Sequence, residues 1–180
     1  MVDNLLDTTR LEEGRHTLAA ETIGVKPAVE SIVASFTERA ARHRIEIGVD
    51  APDGLELSLD RTAFDTMLRN VIDNAVKACI AGNGKRIDIK VSRQDDTVAV
   101  AVTDDGLGFP PEDAELMFEK FYRLGDELRR KTPGTGLGLY IVKRLAELSG
   151  AKVTAASPGP KAGATVTIRW PLAKNPRPDQ

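Results

Sequence analysis

The sequence predicts an α/β fold of the α+β kind, a two-layer sandwich in which about three helices cover one face of a mixed sheet of about five strands. Two observations predict this class. Segments in which apolar and polar residues alternate, as in half-buried strands, are mixed with segments of helical periodicity. The order of these segments lacks the regular βαβ rhythm of a doubly wound sheet.

Composition narrows the class of protein. The chain has 180 residues, of which 41% are hydrophobic and 29% charged, as in a single soluble globular domain with a short appendage. The formal net charge of −2 argues against nucleic acid or an anionic membrane as the main partner. The single cysteine excludes an intrachain disulfide, and no apolar run reaches the ~18 residues of a membrane-spanning helix. We therefore expect a cytoplasmic location, whether or not a longer parent protein is anchored in a membrane.

The first third of the chain predicts two helices and two short strands. Residues 1–14 carry a partial apolar stripe, and a second helix is predicted from about Pro27 to about His43. Strands are predicted at Ile45–Val49 and Leu55–Leu59, with a turn at 52–54 between them.

A long helix and a strand pair follow. Asp60 is the predicted N-cap of a helix that runs to about Ala81, and the sequence Gly-Asn-Gly at 82–84 ends it. The apolar stripe of this helix consists of Phe64, Leu68, Val71, Ala75 and Ala78. Alternating residues at 87–91 and 98–102 predict two strands joined by a polar hairpin turn.

The second half begins with an irregular stretch. Residues 104–138 are rich in glycine and proline and too long for a passive connection, so we interpret them as a functional loop or lid. A helix is predicted from about Gly136 to Ser149, and closing strands at Lys152–Ala156 and Ala164–Trp170. The polar, proline-containing tail 175–180 is expected to be disordered.

One face of the long helix carries polar chemistry. Asn70, Asn74 and Lys77 lie at i, i+4 and i+7, roughly 115° from the centre of the apolar stripe at about 100° per residue. An Asn carbonyl is a hard oxygen ligand for Mg²⁺, and a Lys can neutralise phosphate charge. Taken alone, the same pattern is also that of an ordinary solvated face.

Two glycine-rich segments point to a nucleotide. Asp104–Gly108 directly follows a strand, and an Asp there can accept a hydrogen bond from an exocyclic amine such as that of adenine. A tight loop with glycines at positive φ is the alternative. Gly134–Leu139 opens a helix whose first N–H groups suit phosphate. It is neither a P-loop nor a Rossmann fingerprint, since it lacks Gly-Lys-Ser/Thr and no βαβ unit surrounds it.

Together these motifs resemble, in order and spacing, the nucleotide-binding boxes of sensor histidine kinases in the GHKL ATP-binding superfamily. Asn70–Lys77 is similar to the N box and Asp104–Gly108 to the first glycine box. Phe118–Arg123 resembles the F box, and Gly134–Leu139 the second glycine box. Leu5–Gly14 resembles the end of the second dimerisation helix, so the resemblance covers nearly the whole chain.

The resemblance implies ATP and Mg²⁺ as cofactors and a role for each matching residue. Asn74 would hold Mg²⁺ with Asn70 nearby, Lys77 would contact a phosphate, and Asp104 would bind the adenine amine. Arg130, in a basic run of the lid, would steady the γ-phosphate unless that run is a solvated charge cluster. The other implied binding residues are Gly106, Gly108, Phe118, Phe121, Tyr122, Arg123, Gly134, Thr135, Gly136, Leu137, Gly138 and Leu139. Among these, Gly106 and Gly108 would let the ring approach, and the two phenylalanines would anchor the lid.

The resemblance also implies the reaction. Related ATP hydrolases carry a Glu where this chain has Asn70, and an Asn cannot act as the base that activates water. The site would therefore hold ATP until a histidine of the dimerisation domain attacks, and a response regulator would act downstream. His16 and His43 lack the context of that acceptor, so we expect ATP binding without self-phosphorylation. Ala164 replaces a frequent Thr near the adenine.

These expectations divide the chain into three parts. Residues 1–14 would be a remnant of the second dimerisation helix, 15–174 the catalytic ATP-binding domain, and 175–180 a disordered tail. Two other functions stay open. A degenerate relative would bind ATP, or nothing, and signal by docking, and a serine kinase of the anti-sigma type would use a similar cleft. The dimerisation-helix remnant and the long lid disfavour the second.

Overall fold

The computed structural model describes residues 18–123 and 134–172. Among them, 3₁₀ turns span Pro111–Asp113 and Leu116–Phe118. The strands and helices, in chain order, are β1 (Glu21–Gly24), α1 (Val25–Ala34), α2 (Thr37–Arg42), β2 (Glu46–Asp50), β3 (Glu56–Leu59), α3 (Arg61–Gly82), β4 (Arg86–Gln94), β5 (Thr97–Asp104), α4 (Gly138–Leu148), β6 (Lys152–Ala156) and β7 (Ala164–Pro171). The helical piece predicted at 1–14, the basic run around Arg130 and the tail predicted at 175–180 lie outside the described residues.

The predicted fold class is confirmed. Five strands form one mixed sheet in the order β2-β4-β5-β7-β6, in which β2 and β4 are parallel and the other pairs antiparallel. The alternation of the sequence places one side of each central strand in the core, where Val100 faces Val91 on one neighbour and Ile168 on the other. The apolar stripe of α3 packs on this side, and Phe64 meets the Trp170 ring at 5.4 Å.

Three features differ from the sequence-based expectation. The helix predicted from Pro27 to His43 is two helices. Ser35 Oγ donates a hydrogen bond to the Ile32 carbonyl at 2.6 Å, and this side-chain bond competes with the regular backbone hydrogen bonds of a continuous helix. Strand β1 was not predicted, since only Ile23 of its four residues is buried. Strand β3 pairs with β1 in a separate antiparallel sheet, where Ile23 faces Leu57.

The ends of α3 follow the prediction. Asp60 Oδ1 accepts a hydrogen bond from Ala63 N at 2.8 Å, so Asp60 caps the helix. Its second oxygen accepts from Ala19 N at 3.0 Å and ties the incoming chain to the same helix start. Asn83 ends the helix in the left-handed conformation at φ 59°. No helix in the described part of the chain is long and apolar enough to cross a membrane.

Replacing Asp60 by Ala should lower the free energy of unfolding by about 1–2 kcal/mol, because two backbone N–H groups lose their acceptor. Denaturant unfolding of the variant and of wild type measures the difference. Asp53→Ala is the matched control, since Asp53 pairs with Lys26 on the surface and should leave stability almost unchanged. Equal stability of Asp60→Ala and wild type would contradict the assigned cap.

Candidate functional site

A cavity of about 230 Å³ lies between α3, the end of β5 and the N-terminus of α4. Asn74 and Asp104, which the sequence assigned to one site, both line it. The other predicted residues in its lining are Asn70, Lys77, Gly108, Tyr122, Arg123, Gly134, Thr135, Gly136, Gly138 and Leu139. Gly106, Phe118, Phe121 and Leu137 are not in that lining, and Arg130 is not among the described residues.

The amide face of α3 meets the start of α4. Asn70 Nδ2 donates to the Thr66 carbonyl one turn earlier at 2.9 Å, which leaves the amide oxygen directed away from that carbonyl. A Cβ placed on Gly138 would lie 3.0 Å from this oxygen and 3.9 Å from Asn74 Nδ2. The glycine at 138 therefore lets the first turn of α4 approach both amides. This brings the backbone N–H groups that open α4 and the side-chain amides of Asn70 and Asn74 to one end of the cavity.

A carboxylate that sequence reasoning missed holds the lysine. Asp73 lines the cavity, and its Oδ2 lies 2.6 Å from Lys77 Nζ one turn along α3. Its Oδ1 accepts from Arg39 Nη1 at 2.5 Å, across the gap to α2. The spacing of Asp73 and Lys77 at i and i+4 was a visible signal of the first contact. Nothing local in the sequence signals the second, because 34 residues separate its partners.

Asp104 forms the opposite end of the cavity. Its side chain is buried at the end of β5, and Oδ1 accepts from Gly106 N at 2.9 Å. Burial raises the pKa of this carboxyl from 3.8 to about 6, and the nearby charge of Asp105 adds to the shift. The hydrogen bond from Gly106 acts in the other direction. A carboxylate held in such a place is suited to bind a donor such as an amine inside the cavity.

Asp105, the next residue after Asp104, has a structural role. Its Oδ1 accepts from Lys85 N at 2.8 Å and from Arg86 N at 2.9 Å, and so fixes the start of β4. The Cys79 Sγ lies 3.6 Å from the same oxygen. Burial raises the pKa of that thiol to about 12, which makes Cys79 an unreactive packing residue.

The two glycines of the first glycine box meet different neighbours. A side chain at Gly106 would overlap the main chain of Ala78 on α3, so this glycine permits close packing of the turn on the helix. Leu107 N donates to the Ala78 carbonyl at 3.2 Å in the same contact. The predicted approach of a ring to Gly106 is thus not the feature that requires glycine there. Gly108, at φ +59°, does line the cavity and also packs against Ser157.

The F box is attached to the second glycine box through its backbone. Phe121 N donates to the Gly136 carbonyl at 3.1 Å, and both residues have positive φ values of 64° and 73°. The Phe121 ring is 58% exposed, so this residue anchors the segment by its main chain rather than by burial. Phe118 is buried in the core, as expected of an anchor. Leu137 is also a core residue, just before α4.

Apolar side chains form the walls between the two ends, and most of them lie outside the motifs. They are Val102, Leu107, Phe109, Met117, Ala164 and Val166, and they join the residues named above in the cavity lining. Ala164 lies directly opposite Asp104 across the β5–β7 pairing. Apolar walls with a buried carboxylate at one end suit a flat heterocycle that bears an amine. The amide, lysine and glycine end suits phosphate groups.

Comparisons with known proteins agree with this geometry. Residues 59–174 match the family described as Histidine kinase-, DNA gyrase B-, and HSP90-like ATPase. The sensor-like histidine kinase SenX3 of Mycobacterium tuberculosis is 34% identical over 172 residues, covering 95% of this chain and 41% of SenX3. The structure of full-length ShkA in complex with AMPPNP matches with a TM-score of 0.81 and 26% identity, over 97% of this chain and 35% of that one. The mycobacterial sensor histidine kinase MprB matches with a TM-score of 0.72 and 25% identity, over 85% of this chain and 97% of that one.

The chain belongs to the family of histidine kinase-, DNA gyrase B- and HSP90-like ATPases. The resemblance to sensor histidine kinase ATP-binding domains that the sequence motifs indicated is confirmed, and the fold is that of histidine kinase catalytic domains. Membership of an ATPase family also supports ATP as the nucleotide. The chain spans less than half of SenX3, 41% of its length.

Replacing Asp104 by Asn should stabilise the nucleotide-free protein at pH 7.5. The folded-state pKa lies above the unfolded one, so stability from this group is present below 3.8 and lost as the pH rises through about 6. A neutral amide avoids that loss, and we expect an increase in the free energy of unfolding on the order of 1–2 kcal/mol. Denaturant unfolding at pH 7.5 measures it.

The gain from Asp104→Asn should shrink as the pH falls from 6 towards 4, where the wild-type carboxyl is also neutral. Asp96→Asn removes the same charge from the exposed β4–β5 turn and should produce no such pH-dependent gain. A less stable Asp104→Asn variant at pH 7.5 would show that burial does not disfavour the charged carboxylate.

Proposed function

We propose that this chain is the ATP-binding catalytic domain of a two-component sensor histidine kinase, a protein phosphotransferase. It binds ATP in the cavity and transfers the γ-phosphoryl group to a histidine of a dimerisation domain. The observation that carries the proposal is the shared cavity of Asn74 and Asp104, with a buried carboxylate at one end and amides, a lysine and glycines at the other. The AMPPNP complex of ShkA supports the same kind of ligand.

The adenine ring would lie at the Asp104 end. The ionised carboxylate accepts a hydrogen bond from the exocyclic amine, and Val102, Leu107 and Val166 exclude water from the ring faces. Gly108 lines the cavity, and a Cβ there would overlap the Gly159 and Gly163 carbonyl oxygens, so glycine lets this turn pack on the 159–163 segment. Ala164 presents a methyl group opposite Asp104, so no hydroxyl at 164 assists the recognition of the ring.

The triphosphate would lie at the α3–α4 end. Lys77 Nζ would be 3.8 Å from a Cβ on Gly134, so the ammonium lies beside the second glycine box whose N–H groups would bind phosphate oxygens. Thr135, Gly136, Gly138 and Leu139 continue that wall, while Tyr122 and Arg123 reach the cavity from the F box. Arg130 stays a candidate for the γ-phosphate.

The donor set at this end fits Mg²⁺. The ion prefers oxygen ligands and is usually bound by one or two protein groups together with substrate phosphates and water. The amides of Asn70 and Asn74 offer such oxygens on one helix face, and the described residues contain no cluster of three or more His, Cys, Asp or Glu that would favour another metal. Asn74 would hold the ion, with Asn70 beside it. When bound, Mg²⁺ neutralises charge on the phosphates.

The described lining contains two carboxylates, and neither is placed to activate water. Asp104 lies at the opposite end from the amides, and Asp73 is bonded to Arg39 and Lys77. The site therefore holds ATP in place until the imidazole nitrogen of the acceptor histidine attacks the γ-phosphorus. The N–P bond forms, the bond to the β–γ bridging oxygen breaks, and ADP leaves with that electron pair. Positioning and charge neutralisation supply the catalysis.

The partners follow from the same proposal. The histidine-bearing dimerisation domain belongs to the same chain or to a dimer partner in the full protein, with residues 1–14 as the end of its second helix. A response regulator accepts the phosphoryl group downstream. ATP as the substrate places this domain on the cytoplasmic side of any membrane that anchors the parent protein. The catalytic domain itself would comprise residues 15–174.

A trans assay tests the proposal. The chain is mixed with γ-labelled ATP, Mg²⁺ and a dimerisation domain that carries the acceptor histidine, and label should appear on that partner as an acid-labile phosphoryl group. Asn74→Ala should lower the initial rate roughly 100-fold or more, because the Mg²⁺ bound with ATP would lose its protein ligand. Arg69→Gln, an exposed position on the same helix and outside the cavity lining, should keep the wild-type rate.

Two outcomes would contradict the proposal. Equal rates for Asn74→Ala and wild type would show that Asn74 does not hold the metal. Absence of calorimetric binding of an ATP analogue with Mg²⁺ to the wild-type chain would instead favour a docking module that has lost its nucleotide.

A further inference from the structure

One carboxylate at the phosphate end of the cavity is shared between two cations. Asp73 uses Oδ2 for Lys77 and Oδ1 for Arg39, at 2.6 and 2.5 Å. Lys77 and Asp73 lie on α3 and line the cavity, whereas Arg39 reaches Asp73 from α2 and does not line it. All three side chains are partly buried, with 26% to 38% of each side chain exposed.

This arrangement poses a problem for a phosphate ligand. Lys77 contacts Asp73, so a triphosphate must compete with Asp73 for the ammonium. When Lys77 turns to the phosphate, Asp73 is left as a second anion in the cavity wall, close to the ligand's own negative charge. A partly buried carboxylate without a partner beside like charge is costly.

Arg39 addresses both parts of this problem. Its guanidinium contacts Asp73 Oδ1, the oxygen that Lys77 does not use, so the carboxylate would stay compensated when the lysine leaves. It also fixes the carboxylate from outside the cavity, which keeps Lys77 directed towards Gly134 before the ligand arrives. The two effects act through Asp73, and Arg39 itself need not touch the nucleotide.

We infer that Arg39 is a positioning residue for the triphosphate, which lets Lys77 exchange its contact with Asp73 for a phosphate oxygen. The inference rests on the proposed function, because it requires a polyphosphate at the α3–α4 end of the cavity. It assigns to α2 a part in ligand binding that none of the sequence motifs contains. A purely structural link between α2 and α3 is the alternative, and it would not depend on the phosphates of the ligand.

The experiment is calorimetric titration of the 180-residue chain with ATP plus Mg²⁺ and, separately, with adenosine, which has no phosphates. Arg39→Gln should weaken ATP binding about threefold to fivefold, the upper part of the range expected for a partly exposed charge pair, and leave adenosine binding unchanged. In an Asp73→Asn background the same Arg39 replacement should change ATP binding less than about twofold, because the charge it compensates is gone. Arg39→Lys should restore part of the affinity.

Arg42→Gln is the matched control. Arg42 lies on the same helix in an exposed pair with Glu38, so its loss should leave both affinities unchanged. Equal weakening of ATP and adenosine by Arg39→Gln, or an undiminished effect in the Asp73→Asn background, would overturn the inference. If wild type binds ATP and Asn74→Ala does not, these failures concern Arg39 alone. If wild type binds no ATP, the proposed function and this inference both fall.

Discussion

The close approach of α3 to the turn after β5 determines where the functional groups lie. Gly106 packs on the main chain of Ala78 at a distance that no side chain allows, and Leu107 N bonds the Ala78 carbonyl there. This contact places the Asp104 carboxylate, at the end of β5, opposite the polar face of α3. The main chains of α3 and of the turn after β5 meet at one edge of the cavity. The cavity is therefore a consequence of how α3 packs on the sheet.

Helix α3 therefore contributes residues both to the hydrophobic core and to the cavity. Its apolar stripe, from Phe64 to Cys79, fills the core on the sheet, while Asn70, Asn74 and Lys77 project beside that stripe into the cavity. The site carries groups that stability alone would not favour. The buried Asp104 has its pKa raised to about 6, and Asp73 contacts two cations in the cavity wall. Such groups are expected where binding, and not folding, determines the residue type.

The sequence predicted several features whose causes are local, although it missed the break between α1 and α2, where the Ser35 side chain bonds the Ile32 carbonyl. The cap at Asp60, the helix end at Asn83 and the hairpin after β4 depend on a few neighbouring residues, and all three are present. Two of the features that it did not predict depend on distant partners. Strand β1 is defined by its pairing with β3, and the Arg39–Asp73 contact joins two helices across 34 positions. The glycine box was found from its composition, but only the structure shows that Gly106 packs on Ala78, whereas Gly108 packs on the 159–163 segment and also lines the cavity.

The most direct measurement is a crystal structure of this chain with a non-hydrolysable ATP analogue and Mg²⁺. The account predicts the adenine amine within hydrogen-bond distance of the Asp104 carboxylate and the metal bound to the Asn74 amide oxygen. The phosphates should lie between Lys77 and the glycines that open α4. A base bound away from Asp104, or a metal held without Asn74, would contradict the account.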